Sequence, residues 1–124
     1  EGMVASPRVL VVDDDPGIRE TMLDILSLEG YEVEVAESGE RAVELSGKGH
    51  FDFALLDIRM PGMNGVQTLH ALKRIDNAIR VIMITGFDEG DLAAKAMEAG
   101  AEAVFRKPLD VATFLPLLLT STLS

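Results

Sequence analysis

Four short runs of almost wholly apolar residues recur along this chain: Val9-Leu10-Val11-Val12, Phe53-Ala54-Leu55-Leu56, Val81-Ile82-Met83-Ile84 and Ala103-Val104-Phe105. Their length and β-branching predict strands buried on both faces, as in a parallel sheet. A fifth stretch, Tyr31-Glu32-Val33-Glu34-Val35, alternates apolar and acidic residues instead. It reads as an edge strand with one wet face, and its glutamates discourage edge-to-edge pairing.

Helical patterns lie between these runs. Ile18, Met22, Ile25 and Leu26 fall on one face at helical spacing, with Pro16 suited to the first turn and Gly30 to the C-terminal cap. Ser38 can cap a second helix carrying Ala42, Val43 and Leu45. Asn64 with Gln67 three residues on has the form of a capping box for a third, with Val66, Leu69 and Leu72 facing inward. A fourth is expected from about Gly90 to Ala99, stopped by Gly100, and a fifth from near Asp110 with Phe114, Leu115 and Leu118. Five βα repeats predict an α/β domain of three layers, a doubly wound parallel sheet with right-handed crossovers. Ligands of such sheets bind at the carboxyl ends of the strands.

The length of 124 residues and the 48% apolar content fit one domain with a real core. Residues 1–7 are expected to be a tail, or residues added ahead of the domain, which then occupies 8–124. The tail has no basic start and no apolar stretch, so it does not read as a signal peptide. No run approaches the roughly 20 apolar residues of a membrane span, so no membrane partner is expected. The chain has no cysteine, which excludes disulfides and thiolate metal sites and is compatible with a cytoplasmic location. Its net charge of −10 repels nucleic acid phosphates, so direct nucleic acid binding is not expected.

The strand ends carry the chemistry. In chain order of the predicted strands, Asp13, Asp14 and Asp15 follow the first, Asp57 the third, Thr85 and Gly86 the fourth, and Arg106, Lys107 and Pro108 the fifth. Carboxylates brought together repel one another unless a hard cation joins them, and oxygen-only ligands favour Mg2+, Mn2+ or Ca2+ over zinc. With a cation present, Asp57 can attack phosphorus, while Thr85 and Lys107 can hold phosphoryl oxygens. Each residue alone has an ordinary alternative: Asp15 reads as a helix cap, and Lys107-Pro108 could be a turn. The joint set at matching strand ends is what points to phosphoryl chemistry.

The segments Val11-Val12-Asp13-Asp14-Asp15, Leu55-Leu56-Asp57-Ile58-Arg59-Met60-Pro61-Gly62-Met63-Asn64-Gly65, Ile84-Thr85-Gly86 and Arg106-Lys107-Pro108 resemble, in order and spacing, the receiver domains of bacterial response regulators. The resemblance spans about residues 8 to 120. It implies a flavodoxin-like (βα)5 fold with strand order 2-1-3-4-5. It implies a two-component function, in which a sensor histidine kinase or phosphotransfer protein donates a phosphoryl group to Asp57 in a Mg2+-dependent reaction. Asp13, Asp14, Asp57 and the backbone carbonyl of Arg59 would hold the metal, with Asp14 the more direct ligand and Asp13 acting through water. Thr85, Gly86 and Lys107 would bind the phosphoryl group. Such a domain is not an enzyme in the ordinary sense, since it catalyses only its own phosphorylation and dephosphorylation. Thr85 would move on phosphorylation and switch the face made by the fourth helix, fifth strand and fifth helix, which an output domain or partner reads. The Lys107-Pro108 bond resembles one that is cis in the family.

The chain departs from the family pattern at Val104, where an aromatic switch residue is common, and at Gly86, where alanine is common. Pro116 falls inside the expected fifth helix, and Leu115, Leu117, Leu118 and Leu119 exceed what one helix face buries. That surplus reads either as a frayed end or as a homodimer or partner surface. His50 and His70 read as ordinary surface residues. Competing functions are weaker. A flavin-phosphate site would not place three aspartates after the first strand, and a small-substrate phosphatase would need a second carboxylate beside Asp57, where Ile58 and Arg59 stand. A degenerate, phosphorylation-independent interaction module is the main alternative.

Overall fold

The computed structural model describes residues 6–86 and 90–107. The expected fifth helix, Pro116 with its neighbouring leucines, Pro108 with the peptide bond before it, and the first five residues lie outside that range. The described elements run β1 (Arg8–Val12), α1 (Pro16–Leu28), β2 (Glu32–Ala36), α2 (Gly39–Lys48), β3 (Phe53–Asp57), α3 (Gly65–Ile75), β4 (Arg80–Thr85), α4 (Gly90–Glu98) and β5 (Ala103–Arg106). The strands form one parallel sheet in the order β2-β1-β3-β4-β5.

Alternation along each strand sends side chains to two cores. Leu10, Val12, Ala54, Leu56, Val81 and Met83 pack on one face with Leu69 and Leu72 of α3. Val9, Val11, Leu55, Ile82 and Ile84 pack on the other with Met22 and Leu26 of α1. Burial of each such large side chain contributes ~1.5–3 kcal/mol. The edge reading of β2 holds: its glutamates face water while Val33 and Val35 are half-buried. The expectation that Ala103-Val104-Phe105 is buried on both faces does not hold. Among the described residues β5 is the other edge of the sheet, paired with β4, and its residues are half-buried or exposed.

Local signals set the helix ends. Asp15 caps α1 by accepting from the Gly17 N–H, and Pro16 occupies the first turn. Ser38 accepts from the Arg41 N–H to cap α2, and the reciprocal Asn64–Gln67 box caps α3. Gly30 and Gly100 take positive φ just past the ends of α1 and α4, where a side chain would be strained. At the amino edge of the sheet the His50 ring lies 3.1 Å from both Asp52 and Asp76, and Arg8 donates to the His50 carbonyl. His50 thus ties loops together, and His70 is an exposed residue of α3.

Candidate metal centre at the carboxyl edge of the sheet

Because β1 and β3 are direct neighbours, their ends bring the acidic residues together. Ligand atoms of Asp13, Asp14 and Asp57 lie within 4.8 Å of one another. Asp13 and Asp57 are 1% and 4% exposed, whereas Asp14 is open to solvent. Lys107, at the end of β5, reaches across to both buried carboxylates, with Nζ 3.3 Å from Asp57 Oδ2 and 3.5 Å from Asp13 Oδ2. Among the described residues, the cluster of Asp13, Asp14 and Asp57 against Lys107 leaves a local excess of negative charge.

The backbone presets both acids. The Asp13 N–H donates to the Ala36 carbonyl, its carbonyl accepts from Arg19 Nη1 at 2.7 Å, and its Oδ1 accepts from the Asp15 N–H at 2.9 Å. Oδ2 is buried and, beyond its 3.5 Å ion pair with Lys107, has no well-formed hydrogen bond. Asp57 Oδ1 lies 3.3 Å from the Arg59 N–H, a long hydrogen bond. Thr85, at the end of β4, donates from its hydroxyl to the Gly86 carbonyl at 3.1 Å, and the Lys107 N–H donates to the Thr85 carbonyl. Thr85, Gly86, Gly90, Ala93, Val104 and Arg106 line a cavity of about 190 Å3.

Electrostatics follow from this crowding. Burial, then the neighbouring Asp13, raise the Asp57 carboxyl to a pKa of about 6 against the partial relief of Lys107. Asp13 is also raised, chiefly by burial. Burial works against the Lys107 ammonium, but the two carboxylates outweigh it and its pKa rises. A buried carboxylate oxygen lacking a well-formed hydrogen bond, in a set of hard oxygen donors without nitrogen or sulfur ligands, fits a small hard cation such as Mg2+.

The residues expected from the sequence therefore converge: Asp13, Asp14, Asp57 and Lys107 meet in space, with the Arg59 peptide beside Asp57. Asp15 is the cap it was read to be. Two contributions were not anticipated. Arg19 holds the Asp13 carbonyl from the first turns of α1, and Gly65 packs on the backbone at the end of β3. Helical spacing could place Arg19 near the strand end but could not identify the carbonyl it meets.

Comparison with known proteins identifies the family of the fold. Residues 9–118 match the family model of the response regulator receiver domain. The chain is 38% identical over 104 residues to the sporulation initiation phosphotransferase F of Bacillus subtilis, covering 84% of each protein. It is 39% identical over 103 residues to a cyclic di-GMP phosphodiesterase of Thermotoga maritima, covering 83% of this chain but 27% of that one. It likewise spans less than half the length of several other curated response regulators. The crystal structure of a CheY-like receiver domain protein from Methanospirillum hungatei JF-1 superposes with a TM-score of 0.89 at 31% identity, covering 94% of this chain and 93% of that one.

Proposed function

The chain belongs to the response regulator receiver domain family, and on that premise we propose that it takes a phosphoryl group from a partner's phosphohistidine onto Asp57. The observation that carries this reading is the convergence of Asp13, Asp14 and Asp57 within 4.8 Å, with Lys107 Nζ 3.3 Å from Asp57. Receiver domains are signalling domains that bind Mg2+ in an acidic pocket and work with histidine kinases or phosphotransfer proteins and output domains.

Asp13, Asp14, Asp57 and the Arg59 carbonyl would hold Mg2+, or Mn2+ in its place. When bound, the cation offsets the charge of the incoming phosphoryl group and orients it. An Asp57 carboxylate oxygen forms the new O–P bond as the donor's N–P bond breaks, its electron pair leaving with the imidazole nitrogen. Arg19 and the Asp15 N–H keep Asp13 in place, so little reorganisation accompanies the step. Lys107 trades its contacts with the carboxylates for a phosphoryl oxygen, as a flexible point charge can. The Thr85 hydroxyl and the Gly86 N–H donate hydrogen bonds to the remaining phosphoryl oxygens. Thr85 also lines the cavity with Val104, so its movement changes the surface between α4 and β5 that a partner or output domain reads. With valine at 104 that change is carried by the Thr85 loop and α4 rather than by an aromatic ring.

Intact mass after incubation with acetyl phosphate tests the reading. One phosphoryl adduct is expected in the presence of Mg2+, lost with chelator and absent from Asp57→Asn. An unmodified wild type under rapid quenching would leave a domain that acts by binding alone.

A further inference from the structure

β3 ends at Asp57 and α3 begins at Gly65, and the two meet without slack. The Gly65 N–H donates to the Ile58 carbonyl at 2.7 Å, using a donor that the first turn of a helix ordinarily leaves free. A Cβ at Gly65 would stand 2.5 Å from the Asp57 carbonyl oxygen, 2.6 Å from Ile58 Cα and 2.8 Å from Met83 Cε of β4. Met83 can swing away, but the first two atoms are backbone and cannot. We propose that Gly65 is a positioning residue for Asp57: its bare Cα lets the start of α3 rest on the Asp57–Ile58 backbone and closes the loop that carries Arg59.

The inference rests on the phosphoacceptor reading above. Gly65 is not among the glycines with positive φ, so left-handed backbone does not require glycine there. Helix propensity alone would favour alanine. What excludes a side chain is therefore contact with the backbone of the reacting residue. Ordinary carbon contacts lie near 3.5–4.0 Å, so an added methyl forces a displacement of roughly 1 Å at the strand end. The Arg59 N–H, which faces Asp57 Oδ1, moves with it. A misplacement of that size at a reacting centre can cost about 100-fold in rate.

The test measures phosphorylation rate with acetyl phosphate at saturating Mg2+, together with thermal stability, in the wild type, Gly65→Ala and Leu72→Ala. Leu72 is fully buried on the same helix, two turns beyond Gly65, and its truncation supplies a loss of stability away from the Gly65 contact. Gly65→Ala is expected to slow phosphorylation roughly 10- to 100-fold, while folded Leu72→Ala keeps the wild-type rate. A wild-type rate in Gly65→Ala, or equal slowing in both variants, would overturn the proposal. A wild type that takes no phosphoryl group would instead remove the underlying reading, and the proposal with it. Should Gly65→Ala fail to fold, amide exchange in the wild type decides: a strongly protected Gly65 N–H supports the closed loop, and exchange at the free rate refutes it.

Discussion

Replacing Asp57 by asparagine is expected to stabilise the metal-free protein, and to do so mainly where the carboxylate would be ionised. Asp57 titrates near 6 in the folded protein against an ordinary 3.8, raised first by burial and then by Asp13. The folded state therefore holds this proton more tightly than the unfolded chain. Stability is lost as pH rises through the window from about 3.8 to about 6 and stays lost above it. At about 1.4 kcal/mol per pKa unit, the cost approaches ~3 kcal/mol near pH 7.5 and is ~1 kcal/mol near pH 4.5. Asparagine removes the charge at nearly constant shape. It also removes the repulsion between Asp57 and Asp13, while depriving Lys107 of one partner. For a chain of this length ~1 kcal/mol moves the unfolding midpoint by about 3–4 °C, so Asp57→Asn should gain roughly 10 °C at pH 7.5 and far less at pH 4.5. Thermal unfolding followed by circular dichroism, with chelator present, measures this. Saturating Mg2+ should narrow or reverse the difference, because the wild type binds the cation more tightly. A loss of stability in Asp57→Asn at neutral pH, or a gain equal at both pH values, would refute the electrostatic reasoning.

Other perturbations separate the parts of the site and fold. Asp13→Asn should also stabilise the metal-free protein at neutral pH, but weaken Mg2+ binding by at least ~10-fold in calorimetric titration; unchanged affinity would remove Asp13 from the ligand set. Tyr31→Phe should raise stability by ~1 kcal/mol in denaturant unfolding, since the Tyr31 hydroxyl is buried without a hydrogen bond. A loss of similar size would show that a water satisfies that hydroxyl.

The sequence made the elements legible because each carries its own local signal. Unbroken apolar runs marked β1, β3 and β4, and alternation marked β2. Asp15, Ser38 and the Asn64–Gln67 pair marked helix starts through short-range hydrogen bonds. The order of strands is not local information: apolar periodicity cannot say that β1 lies between β2 and β3, and only the resemblance supplied it. The same gap explains β5, whose residues Ala103, Val104 and Phe105 look like a central strand until the order places them at an edge. In the site, residue types at strand ends pointed to Asp14, Asp57, Thr85 and Lys107, and the resemblance added Asp13 and the Arg59 carbonyl. The contacts that position them did not follow from type. Arg19 meets a backbone carbonyl, and Gly65 contributes by lacking a side chain, so neither announces a partner in the sequence.

The most direct test of the central claim is the position of the phosphoryl group. The protein would be incubated with Mg2+ and acetyl phosphate, reduced with borohydride, digested and mapped by tandem mass spectrometry. Borohydride converts an aspartyl phosphate to homoserine while leaving a free aspartate intact. Conversion confined to Asp57 and dependent on Mg2+ is the expected result. Conversion at another aspartate, or phosphate retained on a serine, threonine or histidine with Asp57 unmodified, would contradict the account.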